Sequence, residues 1–96
     1  MLYIAFVKNR PQTAPTSVDL EAKSRKWWNE GEKPVGLRTL GFYGAVGSGT
    51  RAVIVFEAQS HEDIRTMIDY WHEVEFEVHP ALDLAEVFRQ QGMRVA

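Results

Sequence analysis

The sequence predicts an α+β domain built on one four-stranded antiparallel sheet. Apolar runs of strand length and helical apolar stripes follow in the order strand, helix, strand, strand, helix, strand, helix. The 96 residues suit one domain, which we assign to residues 1–96. A hydrophobic content of 45% and a charged content of 25% are those of a globular protein. The leading solution for a split β-α-β-β-α-β unit is the ferredoxin-like fold, to which the last helix is added.

The first strand and the first helix are separated by a proline-containing connection. Leu2 to Val7 is an apolar, partly β-branched run that ends at polar residues, as a strand does. Thr16 or Ser17 can then cap a helix, with Asp19 at the position of a capping box. Gly31 is suited to end this helix. The large apolar side chains of the helix share one face, which consists of Leu20, Trp27 and Trp28.

The middle of the sequence predicts a hairpin and a second helix. Val35 to Tyr43 and Arg51 to Glu57 have the composition of two strands joined by the glycine-rich segment 44–49. Ser60 is placed to cap the next helix, with Asp63 three positions later. The apolar stripe of that helix recurs at i, i+3, i+4 and i+7 and consists of Ile64, Met67, Ile68 and Trp71.

The end of the sequence predicts a fourth strand and a third helix. Val74 to His79 alternates strictly between apolar and polar residues, which is typical of a half-buried strand. A helix begins at about Asp83, with Glu86 at the capping-box position and Gly92 at its end. Its apolar face consists of Leu84, Val87 and Phe88.

Composition limits the classes of function. The net charge of −2 and the pI near 5.9 disfavour a protein that binds nucleic-acid phosphates. The absence of cysteine excludes disulfides, thiolate metal ligands and a cysteine nucleophile. Segment 44–49 joins two strands and contains no lysine, so it is not a phosphate-binding loop, and we expect no organic cofactor. No apolar run is long enough for a signal peptide or a membrane span, so we expect a cytoplasmic protein without membrane contact.

The central strands of the predicted sheet are apolar on both faces. In a ferredoxin-like sheet the helices cover one face, and the first and third strands are central. Leu2 to Val7 and Ala52 to Phe56 nevertheless carry apolar residues at consecutive positions, whereas the fourth strand alternates. Another surface must therefore cover the second face of these strands. We expect a homodimer that pairs through this face; the alternative cover is the C-terminal helix.

Three polar residues of the fourth strand are candidate catalytic residues. Glu75, Glu77 and His79 lie at i, i+2 and i+4, so their side chains point to the same side of the strand. Two carboxylates and an imidazole could bind a metal or pair a general acid with a base, and we assign them the acid–base role. The alternative is the solvated face of an edge strand, where charges protect against aggregation.

Five further residues are candidates for ligand binding. Tyr43 and Arg38 lie on opposite faces of the second strand if its pairing is regular, so one of them can face a ligand. Trp28 and Trp71 could line an apolar cavity between helices and sheet, although a plain aromatic core explains them as well. Adjacent helical residues are about 100° apart, so we expect only one of Trp28 and its neighbour Trp27 in the core. His72 falls in the last turn of the second helix, where it can cap the helix or join the acidic strand.

Several segments of the sequence resemble a known family. They are Met1-Leu2-Tyr3-Ile4, Pro34-Val35-Gly36, Leu40-Gly41, Phe56-Glu57-Ala58 and the run from Trp71 to Asp83. Together these segments resemble the dimeric α+β barrel superfamily and, more narrowly, the domain-of-unknown-function family 3303. Relatives tend to carry a basic residue, an aromatic residue and a histidine after the glycine that corresponds to Gly41, where this chain has Phe42-Tyr43-Gly44. A site built on those residues is therefore lost or rebuilt here.

Two classes of function stay open. The resemblance implies a fold more than a reaction, because the superfamily includes cofactor-free monooxygenases, isomerases and haem-degrading enzymes. The first class is a small-molecule-binding protein or a cofactor-independent enzyme with its ligand between sheet and helices. The alternative is a non-catalytic dimeric module, either regulatory or protein-binding. RNA binding on the sheet is disfavoured, because Arg51 to Phe56 offers aliphatic side chains where RRM domains stack bases on aromatic ones.

Overall fold

The protein forms all seven predicted elements, as a computed structural model shows. The structure describes the backbone of residues 1–10, 17–44 and 50–96, and the side chains of residues 1–10, 20–44 and 51–96. Within these ranges, no helix combines the length and the apolar character needed to cross a bilayer. The elements are β1 (Leu2–Asn9), α1 (Ser17–Asn29), β2 (Leu37–Gly44), β3 (Thr50–Ala58), α2 (His61–Tyr70), β4 (Val74–Pro80) and α3 (Leu84–Gln90).

The four strands form one antiparallel sheet in the order β2-β3-β1-β4. The strands β1 and β3 are therefore central, and Ala5 of β1 lies opposite Ile54 of β3 and Val78 of β4. The prediction of an α+β domain with a four-stranded antiparallel sheet and three helices is confirmed. This order leaves β2 and β4 as the edges of the sheet within the chain.

Side-chain caps begin the second and third helices. The Ser60 hydroxyl accepts a hydrogen bond from the Asp63 backbone N–H at 3.3 Å, which satisfies a free donor at the start of α2. The Asp83 carboxylate accepts one from the Glu86 N–H at 3.0 Å at the start of α3. Both predicted N-caps are thus confirmed.

Glycines follow two of the helices. Gly31 after α1 has φ of 80° and Gly92 after α3 has φ of 86°, a left-handed conformation that costs glycine little because it has no Cβ. Both residues were predicted to end these helices, and they do. The predicted cap of α1 at Thr16 and most of the glycine-rich segment, residues 45–49, lie outside the described residues.

The covered face is the face of the sheet that lies under α1 and α2. Trp27 of α1 and Met67 of α2 pack onto it, and Trp27 is only 4% exposed. At the centre, the rings of Tyr3 and Phe56 stack with their centroids 5.6 Å apart. Burial of each large apolar side chain here contributes about 1.5–3 kcal/mol. The buried residues of the covered face are Tyr3, Ala5, Val7, Leu37, Ala52, Phe56, Ala58 and Val74.

The open face is the opposite side of the same sheet. Residues that pair across antiparallel strands point to the same side, and Ile4 pairs with Val55 on β3 and with His79 on β4. The apolar residues of the open face lie on the central strands and are only half-buried. The open face consists of Leu2, Ile4, Phe6, Lys8, Arg38, Gly41, Tyr43, Val53, Val55, Glu57, Glu75, Glu77 and His79.

A bulge in β2 corrects the predicted sides of Arg38 and Tyr43. Arg38 pairs with Glu57 and Tyr43 pairs with Val53, and these partners are four residues apart on β3. Both residues therefore point to the open face, whereas regular pairing would have placed them on opposite faces. The cause is a register shift between Thr39 and Gly41, where one extra residue of β2 reverses the alternation.

The structure also corrects the position of His72. The helix α2 ends at Tyr70 with Trp71 as its C-cap, so His72 lies beyond the helix and not in its last turn. The chain turns at this point because the Val74 N–H, which begins β4, donates to the Trp71 carbonyl at 3.2 Å.

The third helix contributes no side chain to the core. None of the residues of α3 is buried, and on its predicted apolar face Leu84 is 56% exposed and Phe88 is 41% exposed. The amphipathic pattern of α3 is therefore not satisfied by packing within the chain.

Candidate functional site

An apolar cavity lies between α1 and the covered face. Its volume is about 180 Å³. Ala52, Ile54 and Phe56 of the central strand β3 line its floor, and Trp27 and Leu20 of α1 line its roof. Its described lining consists of Val7, Leu20, Ser24, Trp27, Trp28, Lys33, Leu37, Thr39, Phe42, Arg51, Ala52, Ile54, Phe56, Met67, Trp71, Val74 and Phe76.

Aromatic contacts fix the roof of the cavity. The centroids of Trp27 and Trp71 are 6.0 Å apart with the rings steeply inclined, and Trp27 and Tyr70 are 4.7 Å apart. Tyr70 and Trp71 also contact each other edge-on at 5.2 Å. Such edge and tilted arrangements are favourable for aromatic quadrupoles, so these three rings hold α1 at a defined height above the sheet.

Two half-exposed aromatic residues stand at one side of the cavity. The centroids of Trp28 on α1 and Phe42 on the edge strand β2 are 5.9 Å apart. Both rings line the cavity, yet Trp28 remains 42% exposed. Their contact spans the gap between α1 and the edge strand β2.

Few polar side chains line the cavity. The Ser24 hydroxyl donates to the Leu20 carbonyl of its own helix at 2.7 Å, which leaves the hydroxyl oxygen free to accept. The Lys33 ammonium donates to the Leu37 carbonyl. The Arg51 guanidinium donates from Nη1 to Asn9 Oδ1 at 2.8 Å. The cavity is thus apolar at its centre, with cationic groups among its lining.

An ion pair outside the cavity ties α1 to the start of β4. The Lys23 ammonium donates to both Glu73 carboxylate oxygens at 2.8 Å and lies 4.8 Å from the centre of the Tyr70 ring. Burial raises the pKa of Glu73, but the hydrogen bonds from Lys23 and from the backbone, together with the positive charge of Lys23, outweigh it, so the pKa lies below its ordinary value. Burial, followed by a hydrogen bond to the Glu32 carboxylate, raises the pKa of Tyr70 to about 12. Near neutral pH Glu73 is therefore ionised and Tyr70 is neutral, and the contacts of Lys23 with both hold α1 against the start of β4.

The predicted catalytic residues lie away from the cavity. Glu75, Glu77 and His79 share the open face as their spacing predicted, and all three are exposed. His79 Nε2 is 3.5 Å from a Glu77 carboxylate oxygen. The centroid of the His79 ring is 6.3 Å from that of Phe6, in an edge-on arrangement. Among the described residues, no group of three acidic or histidine side chains is close enough together to hold a metal ion.

The predicted ligand-binding residues separate into two sets. Trp28 and Trp71 line the cavity. Arg38 and Tyr43 lie on the open face, where Arg38 Nη1 is 3.9 Å from a Glu57 carboxylate oxygen. His72 is largely exposed, and its Nδ1 is 3.9 Å from a Glu73 carboxylate oxygen.

Sequence reasoning missed several residues that line the cavity. Phe42 takes part because the β2 bulge turns it to the covered face, opposite Ile54. Ser24 has a signal in the sequence, since a small residue stands there within a helical stripe of large ones. Arg51 stands near the start of β3, and its place in the sequence left open whether it orients a ligand or makes a surface pair.

The comparisons with known proteins identify a family for this chain. The model of a family described as Domain of unknown function (DUF3303) matches residues 1–91. No curated protein matches the chain, and no solved structure does. The match covers nearly the whole sequence, including every strand and helix that builds the cavity. The chain therefore belongs to the family Domain of unknown function (DUF3303).

Proposed function

We propose that this chain is a small-molecule-binding protein that holds its ligand between α1 and the covered face. The observation that carries the proposal is the cavity of about 180 Å³ with its aromatic and aliphatic lining. A concave space with a mostly apolar lining and a few polar groups is typical of a small-molecule site. An apolar cavity of about 150 Å³ in another protein binds benzene, which sets the scale at about one ring.

Ligand binding is favoured over acid–base catalysis at this cavity. The candidate acid and base residues, Glu75, Glu77 and His79, lie on the open face, with the sheet between them and the cavity. A general acid or base must lie within hydrogen-bond reach of the group it serves. A cofactor-independent enzyme would therefore need its acid or base from outside this set, and binding requires none.

We propose that the sheet has ferredoxin-like topology and pairs with a second copy as a dimeric α+β barrel. The apolar residues at the centre of the open face need a cover that the described part of the chain does not supply. The half-buried Ile4, Phe6, Val53 and Val55 supply the apolar centre for such an interface.

A second candidate function is a non-catalytic interaction module. The exposed apolar side chains of α3 and its surroundings favour it, since Leu82, Leu84, Phe88 and Met93 are all more than one-third exposed. Exposed apolar groups so close in sequence are typical of a surface that contacts another protein. A module of this kind needs no occupied cavity, and this difference separates the two functions.

Indole tests the proposed cavity because it is a neutral ring of suitable size. Titration into the ¹⁵N-labelled protein should shift the amide resonances of β3 and α1 residues that line the cavity. Ser24→Leu should abolish these shifts, because the larger side chain fills the space under α1. The matched control is Ala22→Leu at an exposed position of the same helix, which should bind indole like the unmodified chain. Failure of the unmodified chain to respond would favour the interaction module.

Light scattering after size exclusion tests the proposed dimer. The expected mass is twice the 11.0 kDa of the chain and should fall on dilution. A mass of one chain at all accessible concentrations would contradict the barrel proposal. It would leave the cavity proposal intact, because the described lining of the cavity comes from a single chain.

A further inference from the structure

We propose that the ligand is a small aromatic carboxylate, with its ring in the cavity and its carboxylate bound by Arg51. This inference rests on the proposed function and adds the chemical class of the ligand. The observations behind it are the charge of the cavity lining, the hydrogen bonding of Arg51 and the size of the space.

The charge of the cavity lining opposes that of the whole protein. The charged side chains among the described lining are Lys33 and Arg51, and both are cationic. The chain as a whole carries a net charge of −2. Cations that border an apolar space with low-dielectric walls attract anions more strongly than the same groups do on an open surface. The lining therefore complements a ligand that has an apolar body and one negative group.

Arg51 is better suited than Lys33 to bind that group. Lys33 already donates to the Leu37 carbonyl. Arg51 uses Nη1 to donate to Asn9 Oδ1 at 2.8 Å, and a guanidinium has five N–H donors in a planar fork. The contact with Asn9 orients the fork, and the remaining donors match the two oxygens of a carboxylate.

The position of Arg51 fits a ligand of about one ring and a short acidic arm. Arg51 precedes Ala52, which lies on the cavity floor opposite Val7. The aromatic side chains Trp28 and Phe42 contact each other at 5.9 Å and line the same cavity. A ring between α1 and β3 would therefore lie against aromatic and aliphatic side chains, with its acidic group toward Arg51.

Phenylacetate and phenylacetamide make a matched pair of probes, because they share size and shape and differ in charge. We expect calorimetric titration to show that phenylacetate binds about tenfold or more tightly than phenylacetamide, because hydrogen bonds to a charged group contribute more than hydrogen bonds between neutral groups. Arg51→Gln should reduce this ratio to about one and leave phenylacetamide binding unchanged. Arg51→Lys keeps the positive charge but loses the paired donors of the guanidinium, so it should give an intermediate ratio of the two affinities. If Arg51→Gln does not fold, Arg51→Lys is used as the test in its place.

Arg38→Gln is the matched control. This substitution also removes a guanidinium, but from the open face of the neighbouring strand β2. The ratio of the phenylacetate and phenylacetamide affinities should therefore equal that of the unmodified chain. Equal affinities of the two probes for the unmodified chain would overturn the carboxylate inference and leave the cavity proposal standing. Loss of the ratio in Lys33→Met but not in Arg51→Gln would overturn the assignment to Arg51. If neither probe binds and indole does not bind either, the proposed function itself is wrong.

Discussion

The two faces of the sheet share the same strands and differ in what lies against them. On the covered face, Tyr3, Ala5 and Phe56 are buried under Trp27 and Met67. On the open face, the neighbouring residues of the same strands are equally apolar at the centre but only half-buried. Consecutive apolar residues in a strand therefore do not show that both faces are buried within one chain; they show that both faces need a cover.

Polar residues are distributed differently on the two faces. The open face carries acidic and basic groups toward its edges, with Arg38 on β2 and Glu75, Glu77 and His79 on β4. On the side of the covered face, the cations Arg51 of β3 and Lys33 of the connection before β2 line the cavity. Charges at the rim and apolar residues at the centre are typical of a protein interface, which fits the proposed dimer on the open face.

Matched substitutions of phenylalanine should give the largest difference between the faces. Phe56→Ala on the covered face should lower the free energy of unfolding by about 3–5 kcal/mol, because it leaves a cavity in the packed core. Phe6→Ala on the open face should cost about 1 kcal/mol in the separated chain, because Phe6 is only half-buried there. Urea unfolding at several protein concentrations measures both. Similar losses at every concentration would show that the open face is covered within the chain.

A charge at the centre of the open face should weaken the proposed dimer. Val55→Glu places an unpaired carboxylate where two sheets would meet, so we expect dimer affinity to fall by about a hundredfold or more. Val35→Glu is the matched control, because Val35 is 99% exposed in the connection before β2. Sedimentation equilibrium compares the two variants. Equal dimer affinities would place the interface elsewhere, with α3 as the next surface to test.

The ion pair that locks α1 over the cavity should stabilise the chain by an intermediate amount. Lys23→Met should lower the free energy of unfolding by about 1–2 kcal/mol at neutral pH, because Glu73 then loses a charged donor in a partly buried position. Arg25→Met removes an exposed pair with Glu21 on the same helix and should cost about 0.5 kcal/mol or less.

The effect of Lys23→Met should depend on pH in a defined direction. The folded-state pKa of Glu73 lies below its unfolded value, so the carboxylate stabilises the fold at pH values above the unfolded pKa. That contribution to stability disappears as the pH falls through the pKa of Glu73 in the folded state. The difference between the chain and Lys23→Met, followed by urea unfolding, should thus be constant near neutrality and shrink toward acidic pH. A difference that grew on acidification would contradict this account of the pair.

The sequence was sufficient to predict the elements and two residues that line the cavity, Trp28 and Trp71, but not most of its lining. Periodicity predicted every strand and helix, and the caps Ser60 and Asp83 were visible as spacings of polar residues. The face to which each β2 side chain points could not be predicted. A single bulge between Thr39 and Gly41 reverses the alternation of side chains, and no pattern in the sequence indicates this bulge. The residues that line the cavity also come from elements far apart in the sequence. Whether they surround a common space depends on the distance between α1 and the sheet, which the sequence does not give.

The smallest effect is expected where sequence reasoning placed the catalytic residues. Glu77→Gln and His79→Ala should each change the free energy of unfolding by less than about 0.5 kcal/mol, because both side chains are more than half exposed and meet at 3.5 Å in solvent. Neither should alter indole binding, since the sheet separates them from the cavity. The measurement is the indole titration by ¹⁵N NMR used for Ser24→Leu. A loss of binding in either variant would mean that the open face takes part in ligand recognition, and the two faces would then form one site.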